Sequence, residues 1–289
     1  MELLQYILEN KGKVLLDGGM GTQLEARGAP MSGLACLSHP EVVLAVHQVY
    51  VESGANILIT NTLTMNRVHF ESHGLELDVR EANLAGAKLA RQAADGGQYV
   101  LGDMSTTGKM LAPLGTLSEE DAMAAFKEQA IYLAEGGADG FIIETMFDLN
   151  EAILAVQACK AAADLPVIAS MTFETLKRGG RTIMGNSAAD CARNLSKAGA
   201  DVVGTNCGSL TPLEMSEIVA IMVEATDRPI AVQPNAGKPQ MEGDVTVFDM
   251  QPEPFAEGIS ACLAKGASII GGCCGTTPEH IAVLADLIG

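Results

Sequence analysis

Ser268-Ile269-Ile270-Gly271-Gly272-Cys273-Cys274-Gly275-Thr276-Thr277-Pro278 is the stretch whose reading decides the fold. An apolar run of β character enters a glycine turn that carries two adjacent cysteines. The turn leads into a helix start: Thr277 suits an N-cap, Pro278 the first turn, and Glu279 the positive end of the helix. The segment therefore reads as one βα unit with both thiols on the turn between strand and helix. Gly204-Thr205-Asn206-Cys207-Gly208 places a third cysteine in the same kind of position, after the strand-like Asp201-Val202-Val203.

Working outward, the same unit recurs along the chain. Strands are expected at Val14–Asp17, Ile57–Thr60, Tyr99–Asp103, Gly140–Glu144, Pro166–Thr172, Val202–Thr205, Pro229–Gln233 and Ser268–Gly272. Helices are expected near 40–53, 79–94, 118–136, 148–163, 187–199, 211–225, 251–265 and 277–288, after a short amphipathic helix over 1–13 with Leu3, Leu4, Ile7 and Leu8 on one face. A weak repeat supports the count: Gly54-Ala55-Asn56, Gly137-Ala138-Asp139, Gly199-Ala200-Asp201 and Gly266-Ala267-Ser268 each close a helix before a strand, where a left-handed glycine is expected. Alternating βα units imply a parallel sheet, and eight of them favour closure into a (β/α)8 TIM barrel over an open doubly wound sheet. With no linker-like break, the expectation is a single α/β domain over 1–289.

The strand-to-helix loops 18–39, 61–78, 104–117, 173–186 and 234–250 are long, whereas most return turns are short. In a barrel the long loops crowd one face, the face on which active sites are built. Asp17, Asn61, Asp103, Glu144, Cys207, Asn235, Cys273 and Cys274 all fall at strand ends and are expected to converge there.

Composition narrows the function. The net charge is −18 and the isoelectric point near 4.6, which argues against nucleic acid and anionic membranes as partners. Seven irregularly spaced cysteines do not form a disulfide framework. Met1-Glu2-Leu3-Leu4 lacks a basic segment followed by a long apolar one, and no apolar run approaches the roughly 18 residues of a membrane span. A cytoplasmic location is expected.

Cysteine is usually core filler, and Cys159, Cys191 and Cys262, which fall within helices, are read so; Cys36, in the first loop, stays open. For Cys273-Cys274 the rivals to metal binding are a vicinal disulfide, a redox pair and simple packing. Adjacency disfavours redox chemistry of the Cys-x-x-Cys kind. Together with Cys207 the pair offers three thiolates and no obvious fourth ligand, which is what an open zinc site requires. Gly18-Gly19-Met20-Gly21-Thr22 lacks the spacing of a phosphate loop.

The run Gly271-Gly272-Cys273-Cys274-Gly275-Thr276-Thr277-Pro278-Glu279-His280 resembles the zinc signature of the homocysteine-binding domain of cobalamin-dependent methionine synthase. Its Gly-Gly-Cys-Cys core is shared across the homocysteine S-methyltransferase family. Counterparts occur in order along the chain at Asp17-Gly18-Gly19-Met20-Gly21-Thr22, Thr60-Asn61-Thr62, Gly102-Asp103, Glu144-Thr145, Asn206-Cys207 and Pro234-Asn235-Ala236-Gly237. The resemblance implies a (β/α)8 barrel, zinc held by Cys207, Cys273 and Cys274, and homocysteine bound near Asp17, Gly18, Thr62, Glu144 and Asn235. Glu144 would pair the ammonium, and amides of the glycine turn and the Asn235 loop would take the carboxylate.

The sequence departs from that pattern at Leu63 after Thr60-Asn61-Thr62, at Ser105-Thr106 where Gly-Pro is usual, and at Cys36 where Asn is usual. The folate, cobalamin and reactivation modules of a full methionine synthase are not in the sequence. The implied reaction is zinc-dependent methylation of homocysteine to methionine, with the methyl group from a small donor or a separate corrinoid (cobalamin) protein. The alternatives are a related zinc methyltransferase that acts on another thiol or methyl compound with a corrinoid partner, and a non-catalytic zinc-binding barrel.

Overall fold

Short runs rich in β-branched and apolar residues form β1 (Val14–Leu15), β2 (Ile57–Ile59), β3 (Tyr99–Met104), β4 (Gly140–Met146), β5 (Val167–Met171), β6 (Val202–Asn206) and β7 (Ile230–Gln233), and, after the mainly polar β8 (Gln240–Glu242), β9 (Val245–Val247) and β10 (Ile269–Ile270). The computed structural model describes residues 2–243 and 245–289. Met1, in the expected 1–13 helix, and Asp244, in the expected 234–250 loop, lie outside the described residues. The helices are α1 (Leu3–Glu9), α2 (Met20–Ala26), α3 (Ala35–Ser38), α4 (Pro40–Glu52), α5 (Arg67–Ser72), α6 (Val79–Ala93), α7 (Glu119–Glu135), α8 (Leu149–Ala162), α9 (Ala188–Ala198), α10 (Pro212–Ala225), α11 (Pro252–Ala264) and α12 (Pro278–Ile288).

Eight strands form one parallel sheet in the order β1-β10-β7-β6-β5-β4-β3-β2. Val14 pairs with Ile269 and Ile57 with Tyr99. A parallel bridge between Leu16 and Ile57, with the Asp17 amide donating to Ile57 O at 3.1 Å, joins the two ends of the sheet. The expected eight-unit barrel is the fold. Helices α4, α6, α7, α8, α9, α10, α11 and α12 follow the eight barrel strands and match the eight expected helical stretches.

The two-residue period of each strand divides the core. Leu101, Ile142, Ile168, Val202, Ala231 and Ile269 fill the barrel interior. Their neighbours Val100, Ile143, Val203, Val232 and Ile270 pack outward against the helices. Helix α1 plugs the N-terminal end: Leu3 and Ile7 join the interior cluster, and burying such a side chain stabilises by about 1.5–3 kcal/mol. The plug is narrower than the sequence suggested. It ends at Glu9, and Leu8, expected on the inner face, is 47% exposed.

The repeated Gly-Ala-Asn/Asp turns also have a physical reason. Gly54, Gly137, Gly199 and Gly266 all sit at φ between +98° and +110°, a region that favours glycine. The next polar side chain caps the start of a neighbouring strand. Asn56 Oδ1 accepts from Leu15 N at 2.9 Å, Asp139 Oδ2 from Val100 N at 2.8 Å, and Asp201 Oδ2 from Val167 N at 2.9 Å. Arg91 and Lys160 pair with those two aspartates.

Several elements in the long loops were not foreseen. Helices α2 and α3 lie within loop 18–39 and α5 within loop 61–78, and an antiparallel hairpin, β8–β9, lies within loop 234–250. None has an apolar period long enough to stand out in a sequence. Among the described residues, no helix is long and apolar enough to cross a membrane.

Candidate functional site

The pleat that fills the barrel with aliphatic side chains delivers polar ones at its mouth. Two residues beyond an interior position lies the next interior position. Leu101 is thus followed by Asp103, Ile142 by Glu144, and Ala231 by Gln233. All three polar side chains are buried and line a cavity of about 250 Å³ at the C-terminal end of the barrel. Asp17, Gly18, Thr145, Cys207, Cys273 and Cys274 line the same cavity.

The ligand sulfur atoms of Cys207, Cys273 and Cys274 lie within 4.8 Å of one another. Three sulfurs bound to one zinc at about 2.3 Å in a tetrahedral site would stand about 3.8 Å apart, so little movement separates the cluster from a metal-holding arrangement. The three thiols are free. Hydrogen bonds from Cys273 and Cys274 pull the Cys207 thiol down to about 3. Cys274 is in turn pushed up to about 12, chiefly by its contact with Cys207, and Cys273 is raised as well. One thiolate forms readily and the other two thiols then resist ionisation. Three thiolates at this spacing need a cation between them. No Lys, Arg or His lines the cavity among the described residues, so a bound cation is what would let all three ionise together. The residues present fit a thiophilic metal ion, and no fourth His, Cys, Asp or Glu joins the cluster among the described residues.

Backbone ties hold the cysteine turn in place. Cys273 N donates to Pro234 O at 2.8 Å and Ala236 N donates to Cys274 O at 3.0 Å. A Cβ on Gly272 would lie 2.4 Å from Thr276 Oγ1, and Gly275, at φ +78°, is pressed against Phe248. The glycine flanks are therefore needed for close approach as much as for turning the chain. On α12, Thr277 N donates to His280 Nδ1 at 3.2 Å. The proton on that ring is then on Nε2, which donates to Met250 O at 2.9 Å.

Asp17, Asp103 and Glu144 bring three carboxylates to one water-poor space. Burial raises all three well above the usual carboxylate range, Glu144 to about 7, and their mutual repulsion and that of Cys207 add to the effect. Glu144 Oε2 accepts from Gln233 Nε2 at 3.3 Å and Asn206 Nδ2 at 3.4 Å. Asp103 Oδ1 is buried with no hydrogen-bond partner. Such a site suits a ligand that brings a cation.

The expected site residues divide into two layers. Asp17, Gly18 and Glu144 share the cavity with the cysteines. Asp17 also has a structural duty, since its Oδ2 accepts from Ile59 N at 2.9 Å and so joins β1 to β2. Thr62 and Asn235 are not among the lining residues. Thr62 Oγ1 lies behind the wall and donates to Asp103 O at 2.8 Å, and Asn235 Nδ2 donates to Gly208 O at 3.0 Å, beside Cys207. The amides of Gly19, Ala236 and Gly237 are already committed, to Thr276 Oγ1, Cys274 O and Asn235 O. Those three groups do not offer the carboxylate cradle expected of the two loops.

Sequence reasoning gave no role to Gln233, nor to Asn206 and Thr145, which it named only within motifs. The signal for Gln233 was present as the i+2 position after an interior alanine. Cys36 proves structural: it is buried, donates to Asn61 O at 3.3 Å, and burial pushes its thiol up to about 12. Cys159, Cys191 and Cys262 are core residues, as expected. At the Ser105-Thr106 departure, the buried Glu151 of α8 accepts from Thr106 Oγ1 at 2.8 Å and Thr107 Oγ1 at 2.6 Å, and so anchors the loop after β3.

Known proteins resemble the chain in sequence and in fold. The homocysteine S-methyltransferase family model matches residues 14–288. The methionine synthases of Mycobacterium leprae (strain TN) and Mycobacterium tuberculosis (strain ATCC 25618 / H37Rv) are each 31% identical over 293 residues, covering 94% of this chain. The chain spans 24% of the length of these curated relatives. The metallated form of the homocysteine methyltransferase MmuM from Escherichia coli superposes with a TM-score of 0.79 at 26% identity, over 98% of this chain and 99% of that one.

Proposed function

The chain belongs to the homocysteine S-methyltransferase family of enzymes, and on that premise we propose that it methylates homocysteine to methionine at a zinc site formed by Cys207, Cys273 and Cys274. The observation that carries the reading is the trio of sulfurs within 4.8 Å of one another, lining a cavity that the carboxyl groups of Asp17, Asp103 and Glu144 also line. The methyl group would come from a small methyl donor or from a separate methylcorrinoid protein.

Cys207, Cys273 and Cys274 would hold the ion, and zinc when bound supplies the charge that lets a coordinating thiol lose its proton near neutral pH. The chain's own residues do the rest. Three cysteine thiolates outweigh the two positive charges of zinc, and the excess negative charge favours a nucleophilic substrate sulfur. The Glu144 carboxylate accepts the substrate ammonium, held in place by Gln233 Nε2 and Asn206 Nδ2. Asp17 and Gly18 line the same wall; Thr62 and Asn235 support that wall and the cysteine cluster from behind. The apolar part of the cavity, with Met20, Ile59 and Leu63, keeps water from the reacting sulfur.

The test is a donor panel: zinc-loaded protein incubated with homocysteine and, separately, S-methylmethionine, betaine, methyltetrahydrofolate and methylcobalamin. Methionine formed with at least one donor, and not by the metal-free protein, supports the reading. No methionine with any of them, from protein shown to hold zinc, would count against it.

A further inference from the structure

The end of β4 is irregular where it meets the cysteines. Its pairing with β5 shifts register between Ile143 and Met146. Both of those side chains belong to the outer core, although they stand three positions apart where a regular strand allows two. One extra residue is accommodated between them, as in a β-bulge, and as a result Glu144 and Thr145 both line the cavity. The bulge is made by Thr145, at φ +58°. A β-branched residue avoids that region unless its surroundings impose it.

The imposing group is Asn206. Its side chain is fully buried and does not itself line the cavity. Thr145 N donates to Asn206 Oδ1 at 2.8 Å, and Asn206 Nδ2 donates to Thr145 Oγ1 at 2.8 Å. The Thr145 N–H fixes the orientation of the carboxamide, because only its oxygen can accept that proton. The same Nδ2 therefore faces Glu144 Oε2, at 3.4 Å, and Cys273 Sγ, at 3.9 Å. The next residue, Cys207, is also left-handed, at φ +55°. One carboxamide thus touches the bulge, the carboxylate and the sulfur cluster.

We propose that Asn206 is a positioning residue: its carboxamide pins the Thr145 bulge so that the Glu144 carboxylate faces the cavity on the side of the three cysteine sulfurs. The proposal rests on the methyltransfer reading only for its probe, homocysteine.

The test compares the zinc-loaded wild type with Asn206→Ala, Thr145→Gly and the double variant. Zinc content is measured by elemental analysis and thiol binding by calorimetry. Asn206→Ala should keep its zinc and bind homocysteine about tenfold more weakly, the worth of one lost hydrogen bond. Mercaptoethanol, which has no ammonium, should change by less than about twofold. Adding Thr145→Gly should restore most of the loss, because glycine adopts the bulge conformation without strain. Unchanged homocysteine binding in Asn206→Ala, equal weakening of both thiols, or no recovery in the double variant would overturn the proposal.

If the wild type itself fails to bind homocysteine, the functional reading falls instead. A crystal structure of Asn206→Ala then decides the proposal: Thr145 leaving the left-handed region supports it, and Thr145 staying there overturns it. If Asn206→Ala does not fold, the double variant decides. Folding with Glu144 still in the cavity supports the proposal, and failure to fold overturns it.

Discussion

The Gly19 amide donates to Thr276 Oγ1 at 2.9 Å across 257 positions of sequence, and so ties the glycine turn after β1 to the cysteine turn after β10. Thr276 Oγ1 donates onward to Cys273 O at 2.7 Å. The Tyr50 hydroxyl, fully buried on α4, reaches both Thr276 O at 3.2 Å and Gly19 O at 3.3 Å. The cysteine turn is thus tied to the barrel rim by the chain's own hydrogen bonds.

Thr276→Val keeps the shape and removes the hydroxyl. The Gly19 amide is left buried without an acceptor, which costs about 1–3 kcal/mol. Urea unfolding of the metal-free protein should show a loss in that range. An unchanged midpoint would mean that the tie contributes nothing to the rim.

Cys207→Ala should release most of the metal and leave the barrel folded, since the interior and outer cores draw on all eight strands. Elemental analysis and far-ultraviolet circular dichroism check the two halves of the statement. Full zinc occupancy in the variant would remove Cys207 from the ligand set.

Glu144→Gln removes the charge that is proposed to meet the substrate ammonium. Homocysteine binding should weaken by about 1.5–3 kcal/mol, the usual worth of a hydrogen bond to a charged group. Mercaptoethanol binding and zinc content should hold. Equal losses for both thiols would assign Glu144 to the barrel rim alone.

His47 on α4 gives the fold a defined response to acid. Both ring nitrogens are buried without hydrogen-bond partners, and burial lowers its pKa from 6.5 to about 4. The unfolded chain then binds a proton that the folded one refuses. Stability is undiminished above about pH 6.5 and falls as the pH drops towards 4, at about 1.4 kcal/mol per pH unit. His47→Leu should flatten that part of the melting-temperature profile. Parallel profiles for the two proteins would show that His47 is protonated in the fold.

The barrel was legible in the sequence because each βα unit carries its own signals: a short apolar strand, a capped helix, and a Gly-Ala-Asn/Asp return. The cysteine cluster was legible because thiols at strand ends have one mouth to face. The second layer was not. Asn206 looks like any polar residue beside a cysteine until β4 bulges at Thr145, and the bulge shows only in the register of β4 against β5. Thr62 and Asn235 sit at strand ends as the cavity residues do, but their side chains are taken up by the Asp103 and Gly208 carbonyls behind the wall. The β8–β9 hairpin was also missed, because three-residue strands leave no readable period.

Zinc K-edge absorption spectroscopy tests the central claim most directly, by counting the sulfur atoms on the metal before and after homocysteine is added. Three sulfurs in the resting protein and four with homocysteine are the result predicted for an open site made by Cys207, Cys273 and Cys274. Four sulfurs at rest, or a count that stays at three when homocysteine binds, would contradict it.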